Sequence, residues 1–198
     1  MLVTIGSGGS AQVILNSLDK TYDHLSISFA WGFGVFVGLI LANVSGHLNP
    51  AITFSMFVIK KISFIQFIVF TAGQYIGKVS LNVQSACVFY LFLFSTGAFF
   101  GAAVVYFVYI VGINNFDHGI RQIYGLQGSA AIFATFPTKS IHPMTCLIDQ
   151  IVATSLLSLC ILAITDKKLN KKTNDAYNSL FIGLLVALLM MTFGLNCG

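Results

Sequence analysis

Four long apolar stretches dominate the chain, and the short segments between them contain most of its charged residues. A helix needs about 20 apolar residues to cross a bilayer, so the pattern predicts spans within residues 25–42, 62–111, 144–165 and 177–195. The opening run, residues 1–15, is shorter and rich in Gly and Ser, and it is interpreted as the end of a first span. The sequence therefore predicts an all-α protein that crosses a membrane several times.

Lysines predict the sidedness of these spans. Lys60 and Lys61 precede the longest run, and four more lysines lie within residues 166–176. Because cytoplasmic loops carry an excess of Lys and Arg, both segments are predicted to face the cytoplasm. An even number of crossings must then lie between them, so residues 62–111 count as one span and residues 112–143 as an outer loop.

A short apolar segment after the first long run differs from the others. It is reached through "NVSGHLNPAITFS" at residues 43–55, and its apolar part, residues 50–59, has about half the length of a span. Proline is well tolerated at the first position of a helix, so Asn49 is predicted to be the N-cap of a half-helix. Residues 44–59 are interpreted as a re-entrant loop and half-helix lining a polar path. An ordinary turn at Asn-Pro is the alternative.

Composition supports a membrane protein and excludes several functions. The 198 residues are 57% hydrophobic and 8% charged, whereas soluble domains carry roughly 25% charge. The net charge of +4 comes from too few basic residues for a nucleic-acid groove. His24, His118 and His142 are interpreted as solvated residues without metal-ligand spacing. No catalytic arrangement of carboxylates, Ser, His or Cys is visible, so we expect no enzyme activity, cofactor or bound metal.

Several short motifs occur together in one order along the chain. They are "WGFGV" (31–35), "SGHLNPA" (45–51), "IFATFP" (132–137), "DQIVAT" (149–154) and "FGLNCG" (193–198). On these motifs the chain resembles the aquaporin or major intrinsic protein family, in particular its aquaglyceroporin branch. The match to the family signature S-G-A-H-L-N-P-A lacks one Ala between Gly46 and His47.

The resemblance implies an aquaporin-like right-handed helical bundle, incomplete here, with one re-entrant half-helix. It also implies the site residues. The substrate path is expected to include Asn49, Pro50, Ala51, His47, Leu48, Trp31 and Met190, and Gly46 and Gln150 are expected to support the loops. Trp31 falls in the outer selectivity constriction, with a lipid-facing indole as the alternative. Met190 replaces a small residue of the family and is expected to narrow the pore.

Two departures from the family pattern affect the expected function. The chain ends at Gly198, before the second Asn-Pro-Ala half and the sixth span of the family. Residues 78–97 interrupt the third span and are interpreted as an insertion, either a retained intron or a genuine addition. We expect this truncation to compromise the pore.

The resemblance implies a passive multi-pass channel for glycerol, water and similar small neutral solutes. A non-conducting truncated subunit that associates with full-length copies is the alternative. The expected partners are the permeating solutes, the lipid bilayer, and either identical copies in a homotetramer or full-length copies in a hetero-assembly. The plasma membrane is the expected location.

Overall fold

The computed structural model describes residues 1–16, 23–41, 49–76, 85–125, 127–137, 141–170 and 173–197. All regular secondary structure in these residues is helical. The elements are α1 (Leu2–Asn16), α2 (His24–Leu41), α3 (Pro50–Val58), α4 (Phe64–Ile76), α5 (Ser85–Asp117), a 3-10 turn η1 (Ser129–Ile132), α6 (Pro143–Ile164) and α7 (Asp175–Cys197).

Helix length and composition confirm the prediction of an all-α membrane protein. Within the described residues, four helical segments are long and apolar enough to cross a bilayer: His24–Leu41, Gly97–Asp117, Pro143–Ile164 and Asp175–Asn196. Many of their large apolar side chains face outward, as Phe107 on α5 (71% exposed) and Leu159 on α6 (66% exposed) do. Such apolar outer faces suit contact with lipid tails, and the chain is an integral membrane protein.

The longest apolar run, residues 62–111, consists of two helices. α4 and α5 are separated by residues 77–84, which lie outside the described residues. α5 has 33 residues, which corresponds to about 50 Å at 1.5 Å per residue. That length exceeds the hydrocarbon thickness of about 30 Å, and the candidate span is its Gly97–Asp117 part. The insertion at residues 78–97 and the single crossing over residues 62–111 stay predictions.

Two clusters of buried apolar side chains lie at opposite ends of the helices. The loop-side cluster joins α1, α5 and η1 through Ala11, Ile14, Val105, Ile113 and Ile132. The lysine-side cluster joins α2, α3, α6 and α7 through Leu39, Ile52, Ile161 and Ile182. This cluster is named for the lysines nearby: Leu39 and Ile161 lie near the C-terminal ends of α2 and α6, and lysines follow α6 in the sequence.

α2 and α7 approach each other closely at two glycines. A Cβ atom on Gly32 would lie 2.6 Å from the Gly183 carbonyl oxygen and 2.7 Å from the Ala187 Cβ. A Cβ atom on Gly183 would lie 2.7 Å from the Gly32 carbonyl oxygen. Small residues allow such close contact between helices in a membrane, where van der Waals packing drives association.

We expect Gly32→Ala to destabilise the fold by about 1 to 3 kcal/mol, because the added methyl group forces the two backbones apart. Gly8→Ala is the matched control. It lies on α1 with open space where its Cβ would be, so alanine should stabilise that helix by up to about 1 kcal/mol. Thermal unfolding in detergent, followed by circular dichroism, measures both. Equal shifts for the two variants would contradict the close crossing.

Candidate functional site

The Asn49 side chain closes the first turn of α3. Its Oδ1 accepts a hydrogen bond from the Ala51 backbone N–H at 2.9 Å, and its backbone is extended, with φ −153° and ψ 130°. Its carbonyl oxygen accepts from the Thr53 backbone N–H at 3.1 Å and from the Thr53 hydroxyl at 3.2 Å. Pro50 occupies the first helical turn, where a missing N–H costs nothing. Asn49 is thus the N-cap of a nine-residue helix.

Tertiary contacts on two sides hold α3 in place. Ile52 is buried in the lysine-side cluster, and Thr53 is fully buried beside it in the sequence. Toward α4, the Phe57 ring stacks on the Phe67 ring with centroids 5.0 Å apart, and Phe54 approaches the same ring at 6.0 Å. The position of the Asn49 cap therefore depends on packing against α4 and α6 and on the lysine-side cluster.

The Trp31 indole packs against α1. Its Nε1–H donates to the Ser10 hydroxyl at 3.2 Å, and that hydroxyl donates to the Gly6 carbonyl oxygen at 3.2 Å. A Cβ atom on Gly6 would lie 2.4 Å from the Trp31 Cδ2 atom, so only glycine allows the ring to lie this close. The indole is half-buried and oriented by α1, and its place in a selectivity constriction stays a prediction.

The start of α2, which carries Trp31 two turns later, is capped by Asp23. The Asp23 carboxylate accepts from the backbone N–H groups of Leu25 at 3.1 Å and Ser26 at 3.3 Å. The Ser26 hydroxyl also donates to this carboxylate, and that hydrogen bond lowers the pKa of Asp23. The negative charge of the ionised carboxylate is favourable at a helix N-terminus.

Trp31 and Met190 line one cavity of about 880 Å³. The cavity lies where α1 and α7 end, where α2 begins, and beneath the loop after α5. Its walls combine the polar side chains of Ser10, His24 and Ser28 with apolar side chains that include Ile27, Phe133 and Phe136. Asn49 is not among the residues that line it, so the two groups of site residues occupy different parts of the described structure.

The remaining predicted site residues lie elsewhere. Pro50 and Ala51 are half-buried in the first turn of α3. Gln150 is exposed on α6. Gly46, His47 and Leu48 lie outside the described residues. Their roles, like that of Gln150, stay predictions.

The sequence did not indicate two features of the cavity. The sequence predicts that His24 is solvated. In the structure its side chain is exposed, and it also contributes to the cavity lining. Residues 123–125, 128 and 131–137 also line the cavity, although only the likeness of "IFATFP" to an outer loop indicated this part of the chain. Another solvated histidine, His142, caps α6: its Nδ1 accepts from the Met144 backbone N–H at 3.2 Å.

Comparison with known proteins was made on both sequence and structure. The chain is 31% identical over 195 residues to Aquaporin-3 of Milnesium tardigradum and 30% identical over 200 residues to Aquaporin-7 of Mus musculus. The matches cover 96% and 100% of this chain but 53% and 58% of those relatives. The chain thus spans a little more than half the length of these two curated relatives.

A solved structure shares the fold. The X-ray structure of the aquaglyceroporin from Plasmodium falciparum superposes with a TM-score of 0.74 at 25% sequence identity. The match covers 100% of this chain and 69% of that one. The sequence profile of the Major intrinsic protein family matches residues 1–198. Together with the helical fold and the Asn-Pro-Ala half-helix, this match over the full chain shows that the protein belongs to the major intrinsic protein family.

Proposed function

We propose that the protein forms part of a passive membrane channel for glycerol, water and similar small neutral solutes, with no catalytic step. The observation that carries the proposal is the half-length helix α3, which begins at a capping asparagine. Nine residues span about 13 Å, less than half of a hydrocarbon core of about 30 Å. A polar helix start at that depth is tolerated where it lines a cavity or a water-filled path.

The packing of α3 supports a start near the middle of the membrane. Ile52 packs in one cluster with Ile182, which lies seven residues after the first residue of α7. Seven residues correspond to about 10 Å from the lysine side. Asn49 precedes Ile52 by a further turn of helix. The chain leaves α3 at Lys60 and Lys61, so the N-terminal end of α3 points away from the lysine side.

The chemistry of this helix start suits neutral hydroxylic solutes. The Asn49 side-chain oxygen, Oδ1, accepts the capping hydrogen bond, which leaves the side-chain NH₂ group as the donor to a passing hydroxyl. The N-terminal end of a helix carries a partial positive charge. That potential opposes the passage of cations and protons while leaving water and polyols unaffected.

The cavity and the relatives support glycerol as a solute. The cavity lining combines polar side chains, among them Ser10, Ser28 and Thr135, with apolar ones. This mixture suits a solute that has both hydroxyl groups and a carbon backbone. The similar solved structure is described as an aquaglyceroporin.

We propose that the protein works in the plasma membrane as a homotetramer or in a hetero-assembly with full-length copies. An assembly would supply walls of the path that face α3.

Permeability of vesicles containing the full chain tests the proposal. Stopped-flow light scattering should show faster glycerol-driven swelling than in empty vesicles of the same lipid. Insertion is checked separately by protease protection of the two lysine segments. A chain that inserts without raising glycerol or water permeability would contradict the channel and favour the alternative, a non-conducting subunit.

Asn49→Asp should lower glycerol permeability about tenfold, because it removes the NH₂ donor and places a carboxylate in the path, a loss of about 1.4 kcal/mol or more. Aspartate caps helices as well as asparagine does, so α3 should remain folded. The measurement is the swelling rate at equal protein content.

Asn174→Asp is the matched control for this variant. Asn174 caps α7, and its Oδ1 accepts from the Tyr177 backbone N–H at 3.0 Å. Asn174 is exposed before the first turn of α7, and it is not among the residues that line the cavity. The same chemical change should there leave permeability unaltered. An equal loss in both variants would show that Asn49 does not act on the solute.

Met190→Ala should raise glycerol permeability more than water permeability, because a shorter side chain widens the cavity for the larger solute. Met191→Ala is the control, since Met191 is 47% exposed and is not among the residues that line the cavity. The ratio of the two permeabilities, measured in the same vesicles, is the readout. An unchanged permeability ratio in Met190→Ala would show that this cavity is not part of the solute path.

A further inference from the structure

A buried carboxylate lies at the end of α5, next to the loop that covers the cavity. Asp117 is 1% exposed. Its two oxygens accept from the Arg121 Nη1 at 2.8 and 2.9 Å, from the Gly119 backbone N–H at 3.1 Å and from the Ser129 hydroxyl at 2.7 Å. A charge this deeply buried is stable only when it is paired and hydrogen-bonded in this way. The chain after α5 therefore folds back onto Asp117.

The arginine of this pair is itself held by α5. The Arg121 Nη2 donates to the Tyr106 hydroxyl at 3.1 Å and to the Asn114 Oδ1 at 2.6 Å. Its guanidinium also lies over the Tyr106 ring, 5.5 Å from the ring centroid. Fixed donors of this kind give an arginine a defined orientation. The end of α5 and the first residues after it consequently form one rigid unit.

Ser129 connects this unit to the cavity wall. It is the first residue of η1, it is 3% exposed, and its hydroxyl bond to Asp117 spans twelve residues. The last residue of η1, Ile132, is buried in the loop-side cluster. The residues that follow, from Phe133 to Pro137, line the cavity together with Ala131 and Ile132. The 131–137 part of the wall thus begins two residues after the Ser129 contact.

We propose that Asp117 and Ser129 are positioning residues that hold the 131–137 wall against the end of α5 and so set the width of the solute path. Neither is among the residues that line the cavity, so they act through the wall and not on the solute. The effect on solute size rests on the proposed channel function, whereas the effect on the wall itself does not.

Ser129→Ala tests the wall directly through fluorescence. The chain has one tryptophan, Trp31, and it lines this cavity. Acrylamide quenching of its emission in the full chain should rise about twofold, because loss of a buried hydrogen bond raises the population of locally opened states. Ser129→Thr keeps the hydroxyl and should restore the original quenching.

Ser179→Ala is the matched control. Ser179 is 0% exposed, and its hydroxyl donates to the Asp175 carbonyl oxygen at 2.8 Å within α7. This variant removes an equally buried hydroxyl that does not reach the cavity, so quenching should not change. Equal quenching in the two alanine variants would overturn the positioning role of Ser129.

Solute size gives the second readout. In vesicles, Ser129→Ala should raise the permeability ratio of ribitol to glycerol about threefold, because a loosened wall admits the bulkier polyol. Ser179→Ala should leave the ratio unchanged. If the unmodified chain does not conduct but Ser129→Ala alone increases quenching, the positioning role holds and the proposed channel fails. If the chain conducts and neither quenching nor the ratio responds to Ser129→Ala, the positioning role is wrong.

Discussion

The structure depends on one constraint: a backbone group inside the membrane must find a hydrogen-bond partner within the protein or in a wet path. A helix that begins partway through the bilayer exposes N–H groups at its first turn. At the start of α3 two adjacent residues meet part of this need. Pro50 has no N–H, and the Asn49 Oδ1 accepts the N–H of Ala51. The Asn-Pro pair therefore reduces the number of N–H groups that this helix start leaves without a partner in the protein.

The cap cannot hold α3 alone. Isolated helices shorter than about 12 to 15 residues are marginal in water, and α3 has nine. Its stability has to come from Ile52 in the lysine-side cluster and from the Phe57–Phe67 stack. The direction in which Asn49 points is consequently set by apolar packing at the lysine side, away from the polar group itself.

Local features of the sequence were sufficient to predict part of this arrangement. Apolar run length predicted the spans, and the Asn-Pro pair followed by a short apolar stretch predicted the N-cap of α3, because both depend on neighbouring residues. The Trp31–Ser10 and Asp117–Ser129 contacts join residues 21 and 12 positions apart. No periodicity in the sequence encodes such pairings, so the cavity and its loop wall became visible only in three dimensions.

The division of residues 62–111 into α4 and α5 shows a related limit. The run carries a charge at Lys78, and this lysine lies between the end of α4 and the start of α5. A single lysine in an apolar run does not by itself mark the end of a helix, because its long side chain can reach the interface from within a span. The motif likeness predicts an insertion at residues 78–97, and residues 77–84 are those between the two helices.

The two halves of the candidate path are connected mechanically by α2 and α7. Trp31 and Leu39 lie on α2, and Met190 and Ile182 lie on α7, so each helix contributes to both the cavity and the lysine-side cluster. Each pair is separated by eight residues, or about 12 Å of helix. Between these levels the helices touch at Gly32 and Gly183 with almost no free space. A change in that crossing would shift the cavity and the lysine-side cluster together, because a close-packed contact transmits strain from one helix to the other.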